Sequence, residues 1–65
     1  MKLLVMKIKK LMGGRGLTQT QLAQLTGISR QQVSTILSKG SCTVISAVRI
    51  ADALNVDIEE IVKEE

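Results

Sequence analysis

A helix-start signature that occurs three times in 65 residues constrains the fold of this chain more than any other feature. Each copy has a Thr, Ser or Asp that can cap a helix, a Gln or Glu three residues later, and a flanking pair of apolar residues. The caps are Thr18, Ser29 and Asp57; their partners are Gln21, Gln32 and Glu60; the apolar pairs are Leu17 with Leu22, Ile28 with Val33, and Val56 with Ile61. Thr43 is a fourth candidate cap, although Ser46 is a poor partner for it. These signatures predict several short helices.

Helix-stop residues lie before each of these starts. They are Gly13 with Gly14 for a first helix, Gly27 for the second, Gly40 for the third and Asn55 for the fourth. We place the first helix at about residues 3–12. No segment alternates apolar and polar residues for long enough to predict a strand. The sequence therefore predicts an all-α fold of five short helices.

Each predicted helix carries one apolar stripe, such as Ile8 and Met12 in the first and Val33 and Leu37 in the third. A helix this short cannot bury its stripe alone, so the five helices must pack around a common core. The hydrophobic share of 45% is sufficient for one core and argues against disorder. No repeat or linker divides the chain, and we expect residues 1–65 to form a single domain.

Residue types that carry chemistry are nearly absent. The chain has no His and one Cys, which excludes an imidazole base, an internal disulfide and a thiolate metal cluster. No nucleophile–base pair can be assembled, so we predict no catalytic residue, metal, cofactor or small-molecule ligand. The apolar run at 3–6 is far shorter than the roughly 20 residues of a membrane span. We therefore expect a soluble, cytoplasmic protein with a reduced cysteine.

The charged residues are divided along the chain. Residues 1–51 hold eight Lys and Arg and no acid, whereas all six acids lie in the last fourteen residues beside Lys63. This asymmetry favours a basic surface for a polyanion, with an acidic end turned away from it. The alternative is that lysines merely decorate exposed helix faces, and we keep that interpretation for Lys7, Lys9 and Lys10.

The second and third helices must be joined by a very short turn. Between Gln24 and Ser29 the chain leaves one helix and enters the next, and Gly27 permits the positive φ that such a turn needs. Ile28 can plug the corner, and the small Ala23 lets the two helices approach closely. A tight helix-turn-helix presents its second helix outward, free to enter a groove of DNA.

Three segments resemble the helix-turn-helix of Cro-type, lambda-repressor-like regulators: 17–23 (LTQTQLA), 27–30 (GISR) and 33–36 (VSTI). The match continues through 43–56, which resembles the fourth helix of that family and the entry to its fifth. The resemblance covers roughly residues 6–62, and its joint spacing is specific although no single residue is diagnostic. It implies a compact five-helix DNA-binding domain.

The resemblance implies that the helix at 29–38 lies in the major groove of DNA. Arg30 and Gln31, at its first exposed positions, are then the first candidates for base contacts, since Arg matches guanine and Gln matches adenine. Ser34 and Thr35, one turn further on, are candidates for further bases. The alternative for Arg30 and Gln31 is that both side chains are simply solvated.

Contacts with the phosphate backbone are also implied by the resemblance. Gln19 lies where the family contacts phosphate through a side chain and a helix N-terminus. Lys39 and Ser41, in the loop after the third helix, can hold the other end of the backbone footprint. Ser29 is a cap first and a phosphate contact second, and Gln32 is its capping partner first and a DNA contact second.

Two residues depart from the family pattern together. Met12 and Leu37 stand where family members often carry an Arg and a Glu that form a partly buried ion pair. Replacing both partners of a buried pair by packed apolar residues is often neutral or favourable. We therefore predict that Met12 and Leu37 are in contact.

Four other positions carry weaker expectations. Thr26 stands where the family is usually apolar and Leu25 where it is usually polar, which predicts a slightly rotated second helix. Cys42 is expected to be a small buried thiol rather than a redox centre. Arg49 is expected to be exposed, without an assigned role.

The resemblance implies a sequence-specific transcriptional regulator, and we favour a Cro-like repressor that occupies an operator and excludes polymerase. One helix in one groove reads too few bases for a useful site, so we expect a homodimer on a pseudo-palindrome. Candidate interface residues are Ile45 on the fourth helix and Ile58, Ile61 and Val62 on the fifth.

Two alternatives stay open. The same scaffold can serve as a protein-interaction module, an antitoxin or anti-repressor partner, in which DNA binding is secondary or absent. The basic residues 1–51 and the pair Arg30 and Gln31 argue against it. A cationic membrane-surface peptide at residues 2–10 does not explain the three caps downstream.

Overall fold

The computed structural model describes residues 1–63 of the chain. Over this range it contains four α-helices, α1 (Val5–Arg15), α2 (Gln19–Thr26), α3 (Arg30–Lys39) and α4 (Val44–Ala53), followed by a 3-10 turn at Ile58–Glu60. The β pairing in the same range is limited to two isolated bridges. The predicted all-α fold is confirmed, with one α-helix fewer than expected.

The predicted starts and stops of α2 and α3 are confirmed. The Thr18 hydroxyl accepts a hydrogen bond from the Gln21 N–H at 3.1 Å, and the Gln21 side chain accepts one from the Thr18 N–H at 2.9 Å. Ser29 accepts from the Gln32 N–H at 3.1 Å and caps α3. Gly27 closes α2 with a φ of 74°, so that the chain can turn sharply into α3.

The predicted bounds of the first helix are wrong at both ends. α1 begins at Val5, and it continues through Gly13 and Gly14 to Arg15. It stops at Gly16, which has a left-handed φ of 67° and whose N–H bonds the Gly13 carbonyl at 3.2 Å. Gly13 and Gly14 are tolerated inside the helix because a glycine weakens it by only about 1 kcal/mol.

The first four residues pair with two other segments instead of forming a helical turn. They lie between residues 40–42 and residues 61–63, and we call these three segments the terminal ribbon. The Leu3 N–H donates to the Gly40 carbonyl at 2.8 Å, and the Leu4 N–H donates to the Ile61 carbonyl at 2.8 Å. The ribbon therefore ties the C-terminal end of α3 to the last described residues.

The helix predicted after Asp57 is a single 3-10 turn, Ile58–Glu60, in the described structure. Asn55 has a φ of 56°, as its predicted left-handed role requires, but Asp57 makes no capping hydrogen bond. Ile61 is fully buried and the chain then enters the terminal ribbon. The turn ends early because these last residues pair with the first ones.

One aliphatic cluster forms the core, and its buried members are Leu3, Ile8, Met12, Leu22, Ala23, Val33, Leu37, Ala47, Ile50, Ala51, Leu54 and Ile61. Met12 and Leu37 belong to it, as their predicted contact requires; the contact itself stays a prediction. Thr26 is the buried polar residue of the described chain. Its hydroxyl donates to the Ala23 carbonyl and accepts from the Ile28 N–H, both at 3.2 Å, so its burial leaves no unpaired group.

Candidate nucleic-acid interface

The side of α3 that faces away from the core is polar along its whole length. Val33 and Leu37 face the core. Residues four apart on a helix lie above one another, so the exposed side chains form two rows. One row is Arg30, Ser34 and Ser38, and the other is Gln31, Thr35 and Lys39. This two-row surface is long enough to hold several hydrogen-bonding side chains against one ligand.

The second row forms one wall of an open groove of about 430 Å³. The other wall is the loop after α3 and the beginning of α4. The lining residues are Ile28, Gln31, Gln32, Thr35, Ile36, Lys39, Ser41, Cys42, Thr43 and Ser46. The structure thus brings together five of the predicted site residues, namely Gln31, Gln32, Thr35, Lys39 and Ser41.

The other four predicted site residues lie outside this groove. Ser29 and Arg30 line a separate hollow between α2 and α3. Ser34 is exposed on the outer row of α3. Gln19 is the first residue of α2, half-buried, and lines neither hollow.

The expected role of Gln32 as the capping partner of Ser29 is half confirmed. Its backbone N–H is bonded by the Ser29 hydroxyl, but in the described structure α3 lacks the return bond that completes the box on α2. The Gln32 side chain lines the groove instead. Thr35 donates its hydroxyl to the Gln31 carbonyl at 2.9 Å, which leaves its oxygen able to accept a bond from a ligand.

Two hydroxyl-bearing residues of the groove, Thr43 and Ser46, were not predicted as site residues. Thr43 accepts from the Ser46 N–H at 3.3 Å and donates its hydroxyl to the Ser46 side chain at 3.1 Å, which confirms its role as the cap of α4. Both side chains line the groove opposite α3. A cap at the start of a helix was visible in the sequence, but its position across from α3 depends on the tertiary packing.

Arg49 has a contact that the sequence did not indicate. It is exposed, as expected, but its Nη1 donates to the Thr26 carbonyl at 3.2 Å. A Cβ at Gly27 would lie 3.2 Å from the same nitrogen. The guanidinium of α4 thus sits against the C-terminal end of α2, where a positive charge is favourable, and supports the turn into α3.

Cys42 lies half-buried in the wall of the groove. Burial raises the pKa of its thiol, so the neutral form is favoured. Cys42 is thus less buried than expected, but a neutral thiol agrees with the expected lack of a redox role, because the thiolate is the reactive species.

The acidic side chains lie at a different place from the groove. Asp52, Asp57 and Glu60 line a polar hollow at the end of α4 together with Asn55 and Val56. This hollow shares no residue with the groove beside α3. The charge asymmetry of the sequence therefore persists as a spatial separation among the described residues.

The apolar surface proposed for a partner must be revised. Ile61 is fully buried in the core, so it is not available to a second chain. Ile58 and Val62 are partly buried and pack against the same core. Ile45 is 69% exposed, and Val44 and Val48 beside it on α4 are also exposed. We call these three exposed residues the α4 patch.

Two chemical features are absent from the described residues. In residues 1–63 no group of three or more His, Cys, Asp or Glu side chains is placed to hold a metal ion. None of the helices within that range has the length and apolar character that crossing a membrane requires.

A small helical domain with a tight turn before a polar, outward-facing helix defines the helix-turn-helix class. The chain belongs to the Cro/C1-type HTH DNA-binding domain family, whose model matches residues 7–64. This confirms the resemblance seen in the sequence and makes the chain a DNA-binding regulator domain rather than an enzyme.

Two solved structures are similar to the chain. The restriction-modification controller protein C.AhdI from Aeromonas hydrophila is 26% identical, with a TM-score of 0.76 and coverage of 86% of each chain. PhpD, solved with cadmium atoms, is 23% identical with a TM-score of 0.81, and that likeness concerns the fold alone. The match covers 98% of this chain but only 14% of PhpD. Comparison with curated protein sequences gives no significant match.

Proposed function

We propose that the chain is a sequence-specific transcriptional regulator, a Cro-like repressor that binds a pseudo-palindromic operator as a homodimer. The observation that carries this proposal is the polar outer face of α3, held outward by the turn at Gly27. Repression needs no chemistry in this account, because an occupied operator that overlaps a promoter excludes polymerase. The chain would act on DNA in the cytoplasm as a single domain spanning residues 1–65.

We assign the base contacts to the exposed residues of α3. Arg30 and Gln31 are exposed at the beginning of the helix and can form paired hydrogen bonds, Arg with guanine and Gln with adenine. Ser34 and Thr35 follow one turn later and would meet adjacent bases. Gln32 faces the groove and would contact the edge of the same site.

We assign the phosphate contacts to residues at both ends of the helix-turn-helix. Gln19 is the first residue of α2 and Ser29 is the cap of α3, and the N-terminal N–H groups of both helices attract an anion. Lys39 and Ser41 lie at the far end of the groove, where a charge and a hydroxyl can hold the opposite strand. These contacts would position α3 without reading sequence.

The α4 patch is the surface on which we propose that two copies meet. It exposes three apolar side chains within one turn, and its burial against the same patch of a second copy would form a two-fold symmetric contact. Such a dimer would place two α3 helices on two half-sites.

The competing function is a protein-interaction module that uses the α4 patch for a different protein. The exposure of Ile45 favours this alternative as well, because it does not specify which surface covers it. The polar groove beside α3 favours the DNA-binding function, because a module that binds only protein does not need a polar surface there.

Selection of bound sequences from a randomised duplex pool tests the proposed function. The DNA should carry the label, because the chain has no Trp or Tyr. We expect a two-fold symmetric consensus from the parent, and loss of one base preference in each half-site from Arg30→Ala. Binding without any enriched sequence and with a steep salt dependence would mean phosphate attraction alone, and the protein-interaction function would then take its place.

A further inference from the structure

The terminal ribbon places Lys2 directly beside Ser41. The Leu3 N–H donates to the Gly40 carbonyl at 2.8 Å and the Cys42 N–H donates to the Met1 carbonyl at 3.0 Å. These two bonds flank the antiparallel bridge between Lys2 and Ser41. A pair flanked in this way is a non-hydrogen-bonded pair, whose side chains lie on the same face with Cβ atoms about 5 Å apart.

The shared face is the one that borders the groove beside α3. Leu3 is only 6% exposed and points into the core, so Lys2, its neighbour along the strand, points to the opposite, solvent side. Ser41 lines the groove together with Lys39. Lys39 and Ser41 thus lie at the end of the groove, and the bridge places Lys2 next to Ser41 just outside it.

A second lysine lies on the same face of the terminal ribbon. The Lys63 N–H donates to the Lys2 carbonyl at 2.9 Å, and Leu3 bridges to Val62, which places Lys63 opposite Lys2. Like charges placed opposite each other across strands are unfavourable. An anion bound at this face would relieve that repulsion.

The length of α3 indicates which anion this is. The helix has ten residues and is therefore about 15 Å long, compared with a major groove about 12 Å wide. If Arg30 and Gln31 meet base edges at its beginning, its other end comes out at the phosphate backbone that borders the groove. The residues near the C-terminal end of α3 are Lys39, Ser41 and Lys2.

We propose that Lys2 binds a DNA phosphate beside Ser41, so that the terminal ribbon extends the backbone footprint beyond the helix-turn-helix. The inference rests on the proposed function, because it assumes that α3 enters the major groove. Lys2 carries no sequence information in this role; it adds affinity and fixes the orientation of α3.

The salt dependence of binding to a labelled duplex tests this contact. We expect Lys2→Gln to reduce the slope of log affinity against log salt by about 0.9 for each bound copy, and therefore by about 1.8 for a dimer, and to weaken binding about eightfold per copy at 0.1 M salt. The matched control is Lys9→Gln, which removes the same charge from a face of α1 that shares no residue with the groove. That variant should keep the parent slope, and Lys2→Arg should restore it.

Equal slopes for Lys2→Gln and the parent, or equal losses in Lys2→Gln and Lys9→Gln, would overturn the inference. These outcomes differ from failure of the proposed function, in which the parent itself prefers no sequence. Phosphate contacts also form on non-specific DNA, so the same comparison on an unrelated duplex tests Lys2 even then. A parent that binds no duplex at all would overturn both.

Discussion

Glycine affects stability in opposite directions at two nearby positions, one inside α1 and one at its C-terminal end. Gly14 lies inside the helix, whereas Gly16 ends it with a φ of 67°. A Cβ added at either position would meet no atom within 4 Å, so the surroundings are equally permissive. The two residues differ in backbone conformation alone. Substitutions at Gly14 and Gly16 therefore report two different properties of glycine: its low helix propensity and its tolerance of the left-handed region.

We predict that Gly14→Ala raises the free energy of unfolding by about 1 kcal/mol, because alanine is the better helix former. Gly16→Ala should lower it by about 1–2 kcal/mol, because a Cβ is strained at this φ. Urea unfolding followed by far-ultraviolet circular dichroism measures both. Two changes of the same sign would show that α1 does not end where the structure places it.

The helices differ in how completely their starts are capped. The Thr18 side chain of α2 is bonded to the N–H of Gln21 and the reciprocal bond is also formed. Asp57 precedes the 3-10 turn without any capping bond. Both residues head the same sequence signature, so the signature alone does not determine the energy of the cap.

Thr18→Ala should therefore lower the free energy of unfolding by about 1 kcal/mol, the usual loss for a helix cap. Asp57→Ala should change it by less than about 0.5 kcal/mol, as an exposed substitution without a bonded partner does. The same unfolding experiment applies to both variants. A loss at Asp57 as large as the loss at Thr18 would mean that a capped fifth helix forms in solution.

Short-range patterns were sufficient for α2, α3 and α4. Their caps and stops are local, because each cap bonds a residue three positions ahead and Gly27 closes its own helix. The end of α1 was misplaced since three nearby glycines could all stop a helix. The C-terminal helix was wrongly predicted because pairing between the two ends of the chain, which no local pattern encodes, ends the turn early.

The candidate site also contains some residues that local sequence patterns predict and others whose positions depend on tertiary packing. The polar face of α3 follows from helical spacing, so Gln31, Thr35 and Lys39 could be predicted from the sequence. The contact of Arg49 with the Thr26 carbonyl depends on how α4 packs against α2. The position of Lys2 depends on a pairing across 39 residues of sequence, between Lys2 and Ser41.

The molecule as a whole combines a polar reading face with a separate apolar patch. The groove beside α3 and the exposed side chains of the α4 patch share no residue. Their separation allows one copy to bind DNA and a second copy at the same time. Arg49, one turn after Ile45, also contacts the turn before α3, so the α4 patch and the helix-turn-helix are physically adjacent.

We predict that Ile45→Asp prevents dimerisation, because a charge buried at the centre of the α4 patch would lack a partner. Met6→Asp is the matched control, since Met6 is exposed on α1 outside this patch. Sedimentation equilibrium should give a dimer for the parent and the control and a monomer for Ile45→Asp. A dimer that survives Ile45→Asp would place the interface elsewhere.

Arg30 is the residue through which we propose that α3 reads bases. A thermodynamic cycle tests this proposal most directly, with the affinities of the parent and Arg30→Ala measured for the selected site and for the same site with one guanine replaced. We predict that the parent loses about 10- to 100-fold on the base change and that Arg30→Ala binds both duplexes equally. If Arg30→Ala weakened both duplexes by the same factor and kept the parent's preference for every base, Arg30 would contact only phosphate and the account would be contradicted.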